Sequence, residues 1–434
     1  MNKKILLSVT TIATLSSTLS ADSVATMFKD GKVDGQIRSF YIDRAYEGGI
    51  SSTHRNGLAV GGKLRYETAS LNGLSAGVGF YTTQKVASSP TVDKTLFNSN
   101  GDGYSLLGEA FLKYEIGNTI LKGGRQKLDT PLAGSDDARM VPNLFEAYLA
   151  INNDLADTTL IAGHVTAFAP GSFANAYNGG ALGATAGYTA VAGNTAKHQG
   201  DFTNMGEWAI GENTSGVSVV SATYSGIENV KLQAWDYYAW DILNAIYLQA
   251  DASFKTGSIT PYVAAQYIGE SEIGDKKLGD VDSTFWGAKA GAKYSNFNAY
   301  VAYSNQSDNT SAAVNGGTIT PWGGMPAFTQ GMVTRHMFLA GTKATKVAGS
   351  YNFKNLGTNL SVTAYYVSFD MDTNNGYTDT TTATEPGFDI KYYPTTVKNL
   401  QLRFRGNFPR DFKHTANSQS VDWNEYRFIA NYNF

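Results

Sequence analysis

The chain has 434 residues, with 34 Lys and Arg against 37 Asp and Glu, 26 Tyr, 22 Phe, 46 Gly, 10 Pro and no Cys. A slightly acidic balance gives no electrostatic reason to expect nucleic acid, and the lack of thiols excludes disulfides, thiolate metal sites and Cys nucleophiles. Abundant strand-forming aromatics with turn-permitting glycines favour an all-β chain.

At the start, Lys3 and Lys4 precede an apolar run over 5–15, and small residues lead to Ser20 and Ala21. A charged start, a short apolar middle and a small-residue exit predict a secretory signal over 1–21, with 22–434 as one mature domain. The apolar run is too short to cross a membrane as a helix, and no later stretch supplies roughly 18 uninterrupted apolar residues. If the protein enters a membrane, it does so as a barrel. The low mean hydropathy does not oppose this, because only half of each barrel strand has to be apolar.

Segments of alternating polarity then follow one another: 33–43, 57–69, 74–83, 104–116, 119–127, 143–151 and 159–167, and after a long gap 216–224, 230–239, 245–256, 258–268, 284–294 and 296–305. Five more lie near 343–353, 359–369, 387–393, 399–408 and 426–434, which makes about eighteen. In 57–69, for example, Leu58, Val60, Leu64 and Tyr66 share one face while Lys63, Arg65 and Glu67 share the other. Asn72-Gly73 is a hairpin signal. Tight turns of this kind alternate with long Gly/Ser/Thr/Asn-rich connectors, the pattern of an outer-membrane barrel with short periplasmic turns and longer external loops. About eighteen strands enclose an aqueous channel, whereas barrels near eight are filled by side chains.

The last strand carries the pattern furthest. Tyr426, Phe428, Ala430, Tyr432 and Phe434 lie on one face and Glu425, Arg427, Ile429, Asn431 and Asn433 on the other. It resembles the closing strand of a bacterial outer-membrane barrel, which implies that Tyr432 and Phe434 form a signal read by the barrel-assembly machinery. The same alternation sets Arg403 and Arg405 opposite Leu402, Phe404 and Phe408. A midplane Arg facing lipid costs about 2–4 kcal/mol, so both are predicted to face the lumen, together with Arg427, Lys289 and Lys293. Arg38 shares its face with Phe40, so its side is set by neither neighbour.

The stretch Leu121-Lys122-Gly123-Gly124-Arg125-Gln126, followed by Asp129, Pro131, Asp136, Asp137, Arg139, Pro142 and Phe145, resembles the OprD family of outer-membrane substrate-specific porins. The run Gln36-Ile37-Arg38-Ser39-Phe40-Tyr41-Ile42-Asp43-Arg44 is similar to that family's first strand. The resemblance implies an eighteen-stranded transmembrane antiparallel barrel whose third external loop folds inward, with a row of basic residues along one wall. Carried onto this chain, the constriction loop is 128–142 with Asp129, Asp136 and Asp137. The guiding row is Arg38, Arg125, Arg139, Arg403, Arg405 and Arg427. The expected function is passive, charge-selective diffusion of small hydrophilic solutes, such as ions, amino acids or carboxylates, across the Gram-negative outer membrane. Lipid is an expected partner, and a homotrimer is left open.

Five scattered His residues show no metal-ligand spacing and no cofactor motif occurs. Asp370, Asp372, Asn374, Asn375 and Gly376 approach a calcium loop, but the Gly is one place late and no Glu closes it, which favours a polar external loop. The alternative reading is a barrel enzyme, a protease or phospholipase, with catalytic groups at its rim. A soluble secreted sandwich is a third.

Overall fold

The computed structural model describes residues 21–48, 54–176, 199–375, 381–413 and 420–434. Residues 1–20 of the expected signal over 1–21 therefore lie outside the described residues, as does Gly376.

Alternating side chains leave every strand with two edges to pair, and here each pairs antiparallel with its chain neighbour on either side until the sheet closes. Lys32–Gly48 pairs with His54–Glu67 on one edge and with Ser420–Asn433 on the other. Between them run Leu74–Ala87, Tyr104–Ile116, Thr119–Gln126, Leu144–Asn152, Thr158–Ala169, Val217–Tyr224, Val230–Ala239 and Leu243–Ser253. Ile259–Glu272, Asp282–Tyr294, Phe297–Gln306, Lys343–Asn352, Leu360–Met371, Thr381–Tyr392 and Leu400–Asn407 complete the wall. The sheet has twenty strands, of which Thr203–Asn204 and Phe412–Lys413 are two-residue pieces in connectors; the other eighteen form the closed barrel.

Closure leaves no open edge to pair with other chains. At the seam Gly35 and Phe434 exchange backbone hydrogen bonds of 2.9 and 3.1 Å. A Cβ on Gly35 would collide with the Phe434 ring, so the aromatic terminus needs a glycine beneath it.

The two faces differ as the alternation requires. On Ser420–Asn433, Phe428 is 52 % exposed on the outer side while Glu425, Arg427 and Asn431 are buried on the inner side. Phe404 and Phe428 stack on the outer face with ring centroids 4.3 Å apart. Such an apolar exterior is compatible with lipid, not with water.

At the end holding both described termini the turns are tight. Asn72 and Gly73 have φ of 51° and 90°, the left-handed pair that a two-residue hairpin turn requires. Long connectors occupy most of the other end, but 49–53 and Trp240 to Ile242 join strands there in five and three residues. The alternation of short and long connectors is thus broken at these two places.

Several connectors pack against inner-face residues. Connectors 127–143, 199–216 and 307–342 bury Leu128, Leu132, Trp208, Trp322 and Phe338 in one cluster with the inner-face residues Trp235 and Tyr237. Removing these apolar side chains from water holds the connectors against the wall, at about 1.5–3 kcal/mol for each fully buried large side chain.

Candidate functional site

The inner face of adjacent strands carries a sequence of cations. Lys289 lies opposite Ala302, which lies opposite Lys346 on the next strand. Lys293 stands on the same face two steps of the alternation nearer the tight-turn end. Further round, Arg405 is opposite both Asp389 and Arg427, and Arg403 is opposite Lys391. Each shares a strand with outward apolar residues such as Trp286, Val347 and Leu402.

Lys289, Lys293, Lys346, Arg403 and Arg405 border an open space of about 2400 Å3. Asp136, Asp137, Phe328, Gln330 and Arg335 of connectors 127–143 and 307–342 face it as well, as do Asp251 and Lys255. Three carboxylates thus meet seven cations around this space.

Charge is compensated unequally round the barrel. Asp389 alone accepts from Arg403 at 2.7 and 2.5 Å, with Arg405 at 3.8 Å and Lys391 at 3.7 Å. Past the seam, Arg65 pairs with Asp34 at 3.1 Å and Glu109 at 3.3 Å as well as with Glu67, and Lys113 pairs with Glu67 at 2.7 Å and Glu115 at 3.1 Å. One wall is neutralised and the other keeps surplus positive charge. The basic wall also offers ring faces: Lys289 stands 4.2 Å from the Phe328 ring centre and Lys346 5.0 Å from that of Tyr365.

Connector 127–143 is fastened by ion pairs. Arg38 reaches Asp137 at 2.7 Å, donates to Asn431 at 2.8 Å and also donates to the Arg139 carbonyl. Burial works against the Asp137 charge, but Arg38 and then Lys127 hold its carboxyl below the usual range. Asp136 has a left-handed backbone, φ 41°, which turns the chain beside the open space. Asp129 stays within the connector, accepting from Ser135 N at 3.1 Å and Ser135 Oγ at 2.5 Å.

Three arginines converge on Glu425, which is completely buried. Arg44 lies at 2.8 Å, Arg139 at 3.1 Å and Arg427 at 3.1 Å, and Arg44 also meets Asp93 at 2.9 Å. These groups come from two wall strands and two connectors. The cluster rivets connector 127–143 to the barrel seam.

The structure therefore divides the residues expected in the guiding row. Arg403 and Arg405 border the open space. Arg38 is on the inner face, 8 % exposed and occupied by Asp137 and Asn431. Arg139 and Arg427 are 1 % and 0 % exposed, too enclosed to meet a solute. Arg125 corrects the expectation outright: it stands in register with Ala110 and Glu146, on the outer row of Leu121 and Tyr148. There it pairs with Glu146 at 3.6 Å and covers the Phe202 ring at 4.4 Å. Asp137 takes Arg38, and Arg403 takes Asp389.

Sequence reasoning missed Lys346 and the whole contribution of connector 307–342. Lys346 was detectable, because it alternates with the outward Val347 between Ala344 and Ala348. The connector has no periodicity to betray its path. Asp370, Asp372 and Asn374 are engaged with Thr382, the Asn374 backbone and Asp308, and no metal-type cluster of His, Asp and Glu occurs among the described residues.

The family model of the outer membrane porin, OprD family, matches residues 25–434. No curated protein sequence matches the chain. Among solved structures, Pseudomonas aeruginosa OccK9 (OpdG) superposes with a TM-score of 0.76 at 20 % identity, covering 94 % of this chain and 99 % of its own. OpdK of the same organism, solved with vanillate, gives 0.74 at 17 % over 94 % and 99 %. OccK2 (OpdF), in complex with glucuronate, gives 0.73 at 18 % over 94 % and 97 %.

Proposed function

The chain belongs to the OprD family of outer-membrane porins, and from that premise we propose that it conducts small anions, with carboxylates favoured, by passive diffusion. The single observation that carries this is the surplus of cations around the open space, seven against three carboxylates. An anion entering from bulk water loses hydration, and closely placed cations in a medium of lower effective dielectric replace it more effectively than cations in water do. Vanillate and glucuronate, found with the related porins OpdK and OccK2, are both carboxylates, which supports the class.

In this reading connectors 127–143 and 307–342 narrow the lumen together. Asp136 and Asp137 stand on one side of the gap and the Lys289–Lys346–Arg403 wall on the other, so a solute with a carboxylate and a second polar end is oriented as it passes. Backbone inside the barrel is tolerated there because it lines a cavity that water enters. The secretory segment over 1–21 delivers the chain, and Tyr432 and Phe434 address it to the assembly machinery.

The test is a planar-bilayer reversal potential in a salt gradient. The parent is expected to be anion-selective, and Arg403→Glu with Arg405→Glu should move it toward cations. A parent channel that favours cations, or a folded double variant with unchanged selectivity, would overturn the reading.

A further inference from the structure

The tip of connector 307–342 is held by one carboxylate. Glu385, on the inner face of Thr381–Tyr392, is fully buried. Its Oε1 accepts from Met332 N at 2.7 Å and Val333 N at 3.2 Å, and its Oε2 accepts from Thr334 N at 3.0 Å and Thr334 Oγ1 at 2.5 Å. Three successive backbone N–H groups thus converge on one side chain, the geometry that favours an anion. No ion pair to Glu385 occurs among the salt bridges of the described residues; the wall adds the Tyr365 hydroxyl, which donates to Oε1, and Asn407 Nδ2 at 3.4 Å.

Two further observations point the same way. A Cβ on Gly331 would collide with Glu385 Oε2 and with Thr334 Oγ1, so the backbone is bare where it approaches the carboxylate. The same tip also orients cations at the open space. Gln330 O accepts from Lys346 Nζ at 2.6 Å, and Arg335 Nη1 donates to Gly331 O at 2.8 Å.

We propose that Glu385 is a positioning residue for permeation: it clamps the 331–334 backbone and so fixes Lys346 and Arg335 where they meet the solute. The inference rests on the anion-channel reading, and it assigns a task to a residue that touches no solute. A charge-assisted hydrogen bond is roughly twice as strong as a neutral one, which makes a carboxylate the right group for this clamp. Glutamine is the wrong group, because its NH2 would confront backbone N–H donors with no acceptor.

The experiment compares the full-length parent with Glu385→Gln and Gly331→Ala. Folding is followed by heat-modifiable migration, and channels by single-channel recording. Both variants are expected to fold, to flicker among substates and to lose a large part of the anion preference. Because the chain has no Cys, Val333→Cys, buried in the parent, supplies a second readout: a maleimide should label it severalfold faster when Glu385→Gln is added. Parent-like noise, selectivity and labelling in folded Glu385→Gln would overturn the clamp. If Glu385→Gln fails to fold, Gly331→Ala is judged by the same noise and selectivity, and parent-like behaviour overturns it. A parent that is not anion-selective defeats the channel reading, while noise and labelling still decide the clamp.

Discussion

The buried cluster at the seam makes an ordering of variants that a count of contacts would not. Three guanidinium groups, Arg44, Arg139 and Arg427, face two carboxylates, Asp93 and Glu425. Glu425→Gln leaves all three cations with Asp93, which already serves Arg44. Stranding a buried charge costs about 3–5 kcal/mol. Arg139→Met removes one hydrogen bond to a charged group, worth about 1.5–3 kcal/mol. It also leaves two cations with two carboxylates and keeps an apolar stem against Phe173, which now lies 4.8 Å from the guanidinium. The relief of like-charge repulsion offsets part of the loss, for a net cost of about 1–2 kcal/mol. Glu425→Gln should therefore lose its fast-migrating folded form at a distinctly lower temperature than Arg139→Met in graded heating before gel electrophoresis. Should the two variants melt together, or Arg139→Met melt first, the electrostatic reasoning is refuted.

Phe434→Asp, which places a charge at an outer-face position 50 % exposed, should sharply lower heat-modifiable protein in the outer membrane while surviving channels conduct normally; undiminished levels would remove the terminal residue from assembly. Deleting 134–137 takes away Asp137, the partner of Arg38, and should raise single-channel conductance and blunt discrimination among solutes of similar size, so unchanged conductance in folded channels would exclude this connector as the constriction. His336 is fully buried in connector 307–342, its ring centre 4.3 Å from that of Phe412, with neither ring nitrogen hydrogen-bonded, and burial pushes its pKa from 6.5 down to about 3. The released connector takes up the proton first, so this contribution is complete above about pH 6.5 and falls by about 1.4 kcal/mol per pH unit between about 6.5 and 3. Channel noise should rise on acidification through that window and do so less in His336→Leu; identical pH profiles would show that His336 is not the responsible group.

The wall was legible in the residues themselves. A strand's period of two, repeated eighteen times between turn signals, identifies the faces, and the cost of a charge in lipid then directs Arg403, Arg405 and Arg427 inward. That reasoning fails where the period fails. Arg125 follows Gly124, whose φ is 116°, near the rim where the outer face meets a loop aromatic instead of lipid, so an outward charge there escapes the midplane penalty. Nor does alternation distinguish an inner-face Arg that meets solute from one sealed by a partner. Arg403 and Arg427 read alike in sequence, yet one borders the open space and the other is enclosed with Glu425 and Asn407. What seals or exposes them is the path of connectors 127–143 and 307–342. That path is set by contacts between residues far apart in the chain, such as Arg139 with Glu425 and the 332–334 backbone with Glu385. Such contacts exist only after the barrel closes and brings those strands to the same side of the lumen, because local sequence encodes which face a side chain takes and not which distant group will meet it there.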